Sequence, residues 1–302
     1  MARCLTAILS ARPVYGCRQA FLPSLRILQI DAFTDRIFAG NPAAVIPLEA
    51  WLPDATLQAI AAENNLAETA FFVSYVALPA RDDQTESGAP EPGEPAYRLR
   101  WFTPTVEVDL CGHATLAGAS FLLGDVHPRA ERVHFMTQSG WLSVARSGDR
   151  LQLDFPARPA KRVPTDEEPA DLAAAIGATP IAVWGARDLM VVFDTEAEVR
   201  ALRPDFAAIS RWDWFAVIAT APGNECDFVS RFFAPAKGVP EDPVTGSSHT
   251  TLIPYWADRL NQRTLHARQA SPRGGELWCS RVGDRVLIAG NAVRFLDGTI
   301  MF

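Results

Sequence analysis

The chain has 302 residues, of which 48% are hydrophobic and 21% charged, and its formal net charge is −7. This profile is typical of a globular protein with room for two domains of about 150 residues, and its acidic balance argues against nucleic acid as the main partner. The five cysteines show no CxxC spacing and no apolar stretch approaches the ~18 residues of a membrane span, so we expect neither a disulfide framework nor a membrane protein.

The first 26 residues contain four arginines and no acidic residue. This composition is typical of an organellar presequence, and the alternative is a leader that stays disordered. We therefore leave residues 1–26 out of the fold and expect domains at residues 27–155 and 156–302, with the last strand returning to the first domain. The sparse cysteines favour a reducing compartment, and we expect a cytoplasmic location.

Short apolar runs bounded by turn residues predict strands in most of the remaining chain. In the first domain we expect a strand entered at Glu68, a helix at 55–64 capped by Asp54, and further strands at 25–33, 43–48, 97–103, 132–137, 141–146 and 151–155. In the second we expect helices at 171–176 and 196–203 and strands at 182–184, 190–193, 215–220, 226–233, 274–281, 285–289 and 293–302. Residues 79–96, rich in proline and acid, predict a solvated loop.

One stretch of the chain occurs twice. Residues 100–123 read RWFTPTVEVDLCGHATLAGASFLL, and residues 231–256 read RFFAPAKGVPEDPVTGSSHTTLIPYW. Each copy opens with Arg-aromatic-Phe-small-Pro, passes through an acidic loop, reaches Gly112 or Gly246, and closes with an apolar run of helical length. The repeat predicts two similar half-chains, each with one long helix entered through a glycine. Together with the many short strands it indicates an α+β fold.

The two glycine-entered helix starts predict a site for a small carboxylate. A helix start presents unpaired backbone N–H groups and the positive end of the helix dipole, and glycine lets a ligand approach the backbone. Two such starts that face each other would hold a carboxylate between the domains. The alternative is a pair of ordinary helix N-termini, with Thr115 or Ser247 as plain caps.

Three titratable residues are candidates for proton transfer. Glu68 stands among apolar and small neighbours, and desolvation of a carboxyl group favours both acceptance and donation of a proton near neutral pH. His113 follows Gly112, and Asp242 precedes the second helix start, so the repeat directs both towards the same cleft. The alternatives are an exposed strand-end glutamate, a capping or core histidine, and an ordinary Asp-Pro turn.

Cys111 suggests two other kinds of site. A thiolate nucleophile would need a base placed by the fold, and a histidine two residues away on a turn is poorly arranged for that role. A metal site would need a set such as Cys111, His113, Asp242 and His249, whose spacing does not match common zinc patterns. We expect no metal.

Four motifs, in order, resemble the PhzF (phenazine biosynthesis-like) family, which shares the diaminopimelate epimerase fold. They are DAFTDRIFAGNPAAV, NLAETAFF, RWFTPTVEVDLCGHATLAGA and FFAPAKGVPEDPVTGSSH, and the resemblance extends from about Ile27 to the C-terminus. It implies two pseudo-symmetric domains, each a mixed, mainly antiparallel sheet wrapped around a central helix, with the site in the cleft between them. A homodimer is compatible with it.

The resemblance also implies roles for particular residues. The catalytic glutamate matches Glu68, and the supporting histidine and aspartate match His113 and Asp242. Ala67 stands where the family has a serine, which removes one hydrogen bond to substrate. The related epimerases use two opposed cysteines; Cys111 aligns with one, and Pro243 stands at the expected position of the other. The expected substrate-binding positions are Asn41, Gly112, Ala114, Thr115, Gly246 and Ser247.

The sequence therefore predicts a cofactor-independent isomerase of biosynthetic type that acts on a small carboxylate or amino-acid-like substrate. Glu68 would move the proton, and the helix starts would stabilise the developing charge. The alternative is a non-catalytic interaction or regulatory protein that keeps the same fold.

Overall fold

A computed structural model describes residues 23–75 and 89–302. The elements of the first half are β1 (Ser24–Ala32), β2 (Asn41–Leu48), α1 (Asp54–Asn64), β3 (Glu68–Ser74), β4 (Ala96–Phe102), β5 (Glu107–Val108), α2 (Gly112–Phe121), β6 (Arg132–Thr137), β7 (Gly140–Ser147) and β8 (Arg150–Pro156). Those of the second half are β9 (Lys161–Arg162), α3 (Leu172–Ile176), β10 (Ala182–Gly185), β11 (Leu189–Val192), α4 (Glu196–Ala201), α5 (Phe206–Ile209), β12 (Val217–Pro222), β13 (Phe228–Ala234), β14 (Val239–Asp242), α6 (Gly246–Leu260), β15 (Thr264–Gln269), β16 (Gly275–Val282), β17 (Arg285–Gly290) and β18 (Ala292–Met301). The α+β class is confirmed.

The two halves repeat one pattern of strand pairing. In the first half β1–β2 and β3–β4 are antiparallel, β2–β3 and β4–β6 are parallel, and β6, β7 and β8 follow antiparallel. In the second half β10, β11, β12, β13, β15, β16 and β17 pair in the same order and the same directions. The duplication predicted from two short stretches thus extends through the whole sheet of each half.

Three further pairings join and flank the repeated units. Strands β8 and β17 occupy matching places in the two halves, and they pair antiparallel with each other. Strand β18 pairs with β1, and the short strand β9 pairs with β10. The final strand therefore lies against the first half, while the domain division at residue 156 stays a prediction.

Helices α2 and α6 are the central helices of the two halves. Every residue of α2 except Ser120 is buried, as expected for a helix with apolar or small residues on all its faces. The longer α6 is buried from Gly246 to Ala257 with the exceptions of Ser247 and Tyr255. One apolar core contains Leu116 of α2 and Leu252 of α6, so the two sheets wrap around a shared interior.

Some local predictions need correction. Pro53, not Asp54, is the N-cap of α1; Asp54 already lies in the first helical turn, where its carboxylate accepts a hydrogen bond from Arg100 at 2.8 Å. Neither Thr115 nor Ser247 is an N-cap, because Cys111 and Thr245 hold those places.

The sequence prediction omitted β15 and the single-turn helix α5. The predicted leader at 1–26 and the predicted loop at 79–96 fall largely outside the described residues. Within the described ranges, no helix is both long enough and apolar enough to cross a membrane.

Candidate functional site

The starts of α2 and α6 meet at a cleft of about 790 Å³ that residues of both halves line. A methyl group placed on Gly112 would lie 3.4 Å from Cα of Gly246, and one placed on Gly246 would lie 3.5 Å from Cα of Gly112. Neither helix receives a capping hydrogen bond from its N-cap side chain. The two helix starts therefore present their backbone to the cleft from adjacent positions, an arrangement that suits an anion.

Glu68 and His113 form a close pair on the first-half wall of this cleft. Glu68 opens β3, and its side chain is 16% exposed. Its Oε2 lies 3.0 Å from Nε2 of the buried His113 imidazole. The two atoms are not aligned as a hydrogen bond, and neither has another hydrogen-bond partner among the described residues. The contact is therefore mainly electrostatic, and it keeps the carboxylate next to the first helix start.

Asn41 connects His113 to the second half. Its Nδ2 donates to Asp242 Oδ1 at 2.8 Å and to the carbonyl oxygen of Val244 at 2.9 Å. The same nitrogen lies 3.1 Å from Nδ1 of His113. The hydroxyl of Thr245 donates to the other carboxylate oxygen of Asp242. The aspartate is thus held behind the imidazole by groups from both halves.

Burial and charge set the protonation of this group. Burial lowers the pKa of His113, but interactions with Cys111 and Glu68 outweigh burial and place that pKa well above its usual value. Burial, reinforced by Glu68, raises the pKa of the Cys111 thiol to about 11. Burial also raises the pKa of Asp242 to about 6, against the opposing charge of His113. At neutral pH the thiol is therefore protonated and carries no charge.

The substrate-binding positions expected from the sequence divide into two sets. Gly112, Gly246 and Ser247 line the cleft. The side chains of Asn41, Ala114 and Thr115 are fully buried and do not line it. Asn41 orders the histidine and aspartate instead, and the hydroxyl of Thr115 donates to the carbonyl of Cys111. These three residues are placed to support the site rather than to touch a ligand with their side chains.

Cys111 has no opposing cysteine. It directly precedes Gly112, so its counterpart in the second half is Thr245, which directly precedes Gly246. The prediction that Pro243 holds this place is wrong, because the loop of the second copy is longer before Asp242 than the sequence alignment allowed. With a buried, protonated thiol on one side and a hydroxyl on the other, the pair is unsuited to two-cysteine proton transfer.

The same residues bring potential metal ligands together without forming a metal geometry. Ligand atoms of Glu68, Cys111 and His113 all lie within 4.8 Å of one another. However, Glu68 approaches Nε2 of the imidazole while Cys111 Sγ lies 3.5 Å from Nδ1. One ion would have to bind opposite edges of the ring to reach both. His249 is elsewhere: it is fully buried, outside the cleft lining, with Nδ1 2.8 Å from the carbonyl oxygen of Thr245.

Sequence reasoning missed the cations of the cleft. Arg158, Arg187 and Lys237 line it together with the exposed ring of Phe215. Arg158 and Arg187 belong to no recognisable motif, whereas Lys237 lies inside the repeated stretch and the motif FFAPAKGVPEDPVTGSSH. Strand pairing in the second half is what locates Arg187. The pairing of β11 with β12 matches that of β2 with β3, and Arg187 lies just before β11.

Comparison with known proteins agrees with this architecture. The sequence profile described as phenazine biosynthesis-like protein matches residues 30–298. A protein of Pseudomonas aeruginosa named an uncharacterised isomerase is 52% identical over 277 residues, which cover 91% of this chain and 98% of the relative.

Solved structures give the same result. A PhzF-family structure from Enterococcus faecalis is 44% identical and has a TM-score of 0.83, covering 93% of this chain and 100% of the other. A hydroxyproline epimerase from Agrobacterium vitis has a TM-score of 0.51 at 11% identity, over 92% of this chain and 91% of the other, which shows a shared fold only. The fold is therefore the two-part, epimerase-like fold expected from the sequence.

Proposed function

The chain belongs to the phenazine biosynthesis-like (PhzF) family of isomerases, and on that premise we propose that it shifts a proton within a small carboxylate or amino-acid-like substrate, without a cofactor. The observation that carries this proposal is the placement of Glu68 on the cleft wall, 3.0 Å from a buried imidazole and beside both helix starts. A single carboxylate at such a place takes a proton from carbon and returns it to another position of the same substrate.

In this proposal His113 keeps Glu68 ready for proton transfer. A protonated imidazole beside the carboxylate favours its ionised form, in which it acts as a base. Once Glu68 has accepted the substrate proton, the positive charge beside it favours release of that proton back to substrate. Nδ2 of Asn41 lies 3.1 Å from Nδ1 of the ring, and the same nitrogen donates to Oδ1 of Asp242 at 2.8 Å, so Asp242 positions the ring through Asn41.

The helix starts supply the electrostatic part of the mechanism. Removal of a proton next to a carboxylate develops negative charge on the carboxylate oxygens. Backbone N–H groups at the starts of α2 and α6 are fixed in place, so they stabilise that charge without reorganisation during the reaction. The close approach of Gly112 and Gly246 lets one carboxylate contact both starts.

The test is exchange of substrate hydrogen with solvent. Wild-type protein and the Glu68→Gln variant are incubated in D₂O with a panel of small carboxylates and amino acids, and deuterium uptake is measured by mass spectrometry. Glu63→Gln is the matched control, because Glu63 is exposed on α1 and does not line the cleft. We expect uptake with wild type and control, and a rate at least about a hundredfold lower with Glu68→Gln.

Equal uptake with Glu68→Gln and wild type would rule out the glutamate as the proton carrier. A wild-type protein that neither exchanges nor is thermally stabilised by any member of the panel would favour the non-catalytic interaction protein instead.

A further inference from the structure

The second-half wall of the cleft is rich in positive charge. Arg187 follows β10, Arg158 follows β8, and both line the cleft close to the first turns of α6. The backbone N–H of Arg158 donates to the carbonyl of Thr250 at 2.9 Å, and Nη2 of Arg187 lies 3.4 Å from Oγ of Ser247. The two guanidinium groups therefore flank a helix end that is itself positive.

Arg187 is held rigidly with donors to spare. Its Nε and Nη2 each lie 2.9 Å from an oxygen of Asp188, whose side chain is only 2% exposed. The guanidinium stacks 4.1 Å from the ring centre of Phe215. Its side chain remains 31% exposed, and Nη1 donates to no residue in the described ranges. A planar cation fixed on two sides with free N–H groups suits an incoming carboxylate.

Arg158 carries a charge that no carboxylate balances within the part of the chain described. Its Nη1 is buried and has no hydrogen-bond partner there. A buried donor of a charged group costs free energy while it is unpaired. An anion that enters the cleft on this side would relieve that cost.

The two walls of the cleft thus have different chemistry. The first-half wall holds the proton-transfer pair Glu68 and His113, and the second-half wall holds Arg158 and Arg187. One carboxylate at the helix starts, beside Glu68, leaves Arg158 without an anionic partner and leaves Nη1 of Arg187 free for a second carboxylate. Resting on the proposed isomerase function, we propose that Arg158 and Arg187 form a second anion-binding position, and that the substrate is a dicarboxylate.

The test measures binding rather than turnover. Isothermal titration calorimetry compares matched pairs of linear acids of four to eight carbons, butanoate with butanedioate up to octanoate with octanedioate. The proteins are wild type, Arg187→Gln, Arg158→Gln and Arg263→Gln. Arg263 is exposed and does not line the cleft, so its variant loses the same charge elsewhere.

We expect at least one diacid to bind wild type and Arg263→Gln about tenfold or more tightly than its monoacid. That preference should fall to about twofold in Arg187→Gln and Arg158→Gln, with monoacid binding unchanged. Arg187→Lys keeps the charge but loses the fork that binds both carboxylate oxygens, and should retain part of the preference. It also remains informative if a glutamine variant does not fold.

The outcomes separate this inference from the proposed function. If no diacid is preferred by wild type, or if the preference survives both Arg→Gln changes, the second anion position is overturned while Glu68-dependent exchange of other acids is untouched. If the preference depends on the arginines but neither the diacids nor the panel of carboxylates and amino acids exchanges hydrogen with solvent, the anion position stands and the isomerase proposal fails.

Discussion

The two halves of the molecule share a backbone and differ in chemistry. Phe71 pairs with Arg100, and Ala219 pairs with Arg231, the equivalent arginine of the repeat. Counting back three residues from each partner gives Glu68 in the first half and the buried Ala216 in the second, so these two are counterparts. The counterpart of His113, one residue after the helix-start glycine, is Ser247. Duplication therefore gives a symmetric pair of helix starts, whereas the groups proposed to transfer the proton, Glu68 and His113, occur in one half only.

The second half has its own unmatched groups. The counterpart of Asp242 in the first half is Val108. Asp242 pairs with Phe232 across β14 and β13, and Val108 pairs with Trp101 at the same place across β5 and β4. Arg187 stands just before β11, at the place that Pro42 takes in β2. The comparison teaches that the two halves keep one backbone frame and carry different side chains on their walls of the cleft, which we propose serve proton transfer in the first half and charge recognition in the second.

The largest effect on stability expected from this comparison concerns an ion pair that both halves keep. Arg231 binds Glu241 through Nε and Nη2 at 2.7 and 2.9 Å, and Arg100 binds Glu107 in the same way at 2.7 Å. The side chain of Arg231 is 9% exposed and that of Arg100 22%. Arg231 also donates to two backbone carbonyls, those of Val199 and Leu202.

We expect Arg231→Gln to lower the free energy of unfolding by about 3 kcal/mol. The change leaves the mostly buried Glu241 carboxylate without its cation and two backbone carbonyls without their donor. Arg100→Gln should cost about 1 kcal/mol, since its partners remain hydrated. Urea unfolding of the two variants checks this. Equal losses would mean that the two ion pairs are equivalent despite their different burial.

A smaller effect on stability is expected from the titration of Asp242, whose counterpart in the first half, Val108, cannot titrate. Burial raises the pKa of Asp242 from 3.8 to about 6, so the folded protein holds a proton that the unfolded chain releases. The stability contributed by that proton is complete below about pH 4 and is lost as pH rises through 6. Asp242→Asn lacks the titration and keeps the hydrogen-bond acceptor for Asn41.

Relative to Asp242→Asn, the wild type should therefore lose on the order of 2 kcal/mol between pH 4.5 and 7.5. Urea unfolding of both proteins at the two pH values gives this difference, and changes in titrating groups that do not interact with Asp242 cancel in it. A difference that is constant with pH would show that Asp242 titrates at its ordinary value in the folded protein.

The smallest effect concerns Cys111 and its counterpart Thr245. Because the thiol is buried and its pKa is about 11, it carries no charge at neutral pH. We expect Cys111→Ser, which makes the first half resemble the second, to change the exchange rate by about threefold or less. Iodoacetamide at pH 7.5 should leave Cys111 unmodified in the folded protein, as peptide mass spectrometry would show. A large loss of rate would assign the thiol a part in the reaction.

The repeat explains why much of the fold was accessible from sequence. Arg100 and Arg231, with their glycines downstream, mark equivalent strands and helices, and the pairing order of the sheets follows that equivalence. Glu68, His113 and Asp242 could be chosen as candidates from the sequence, because each stands in or beside a motif at a strand entry or a helix start. The structure places all three at one cleft.

The rest depends on contacts that no local pattern encodes. Arg158 and Arg187 come from loops far apart in the chain, and only the register of the second sheet brings them to α6. Asn41 was assigned to substrate, although its side chain is fully buried and its amide nitrogen donates to Asp242 and Val244. Asp54 is a residue type that often caps helices. Pro53, however, is the N-cap of α1, and the Asp54 carboxylate accepts a hydrogen bond from Arg100.

The contact between Gly112 and Gly246 also has a mechanical consequence. At 3.4 Å from a β-carbon position to the opposite Cα, the two helix starts have no room to approach further. An alanine at either position would place its methyl group against the backbone of the opposite helix start. The closeness of the two backbones therefore depends on a residue without a side chain on both sides, and either Gly→Ala change would narrow the floor of the cleft from within.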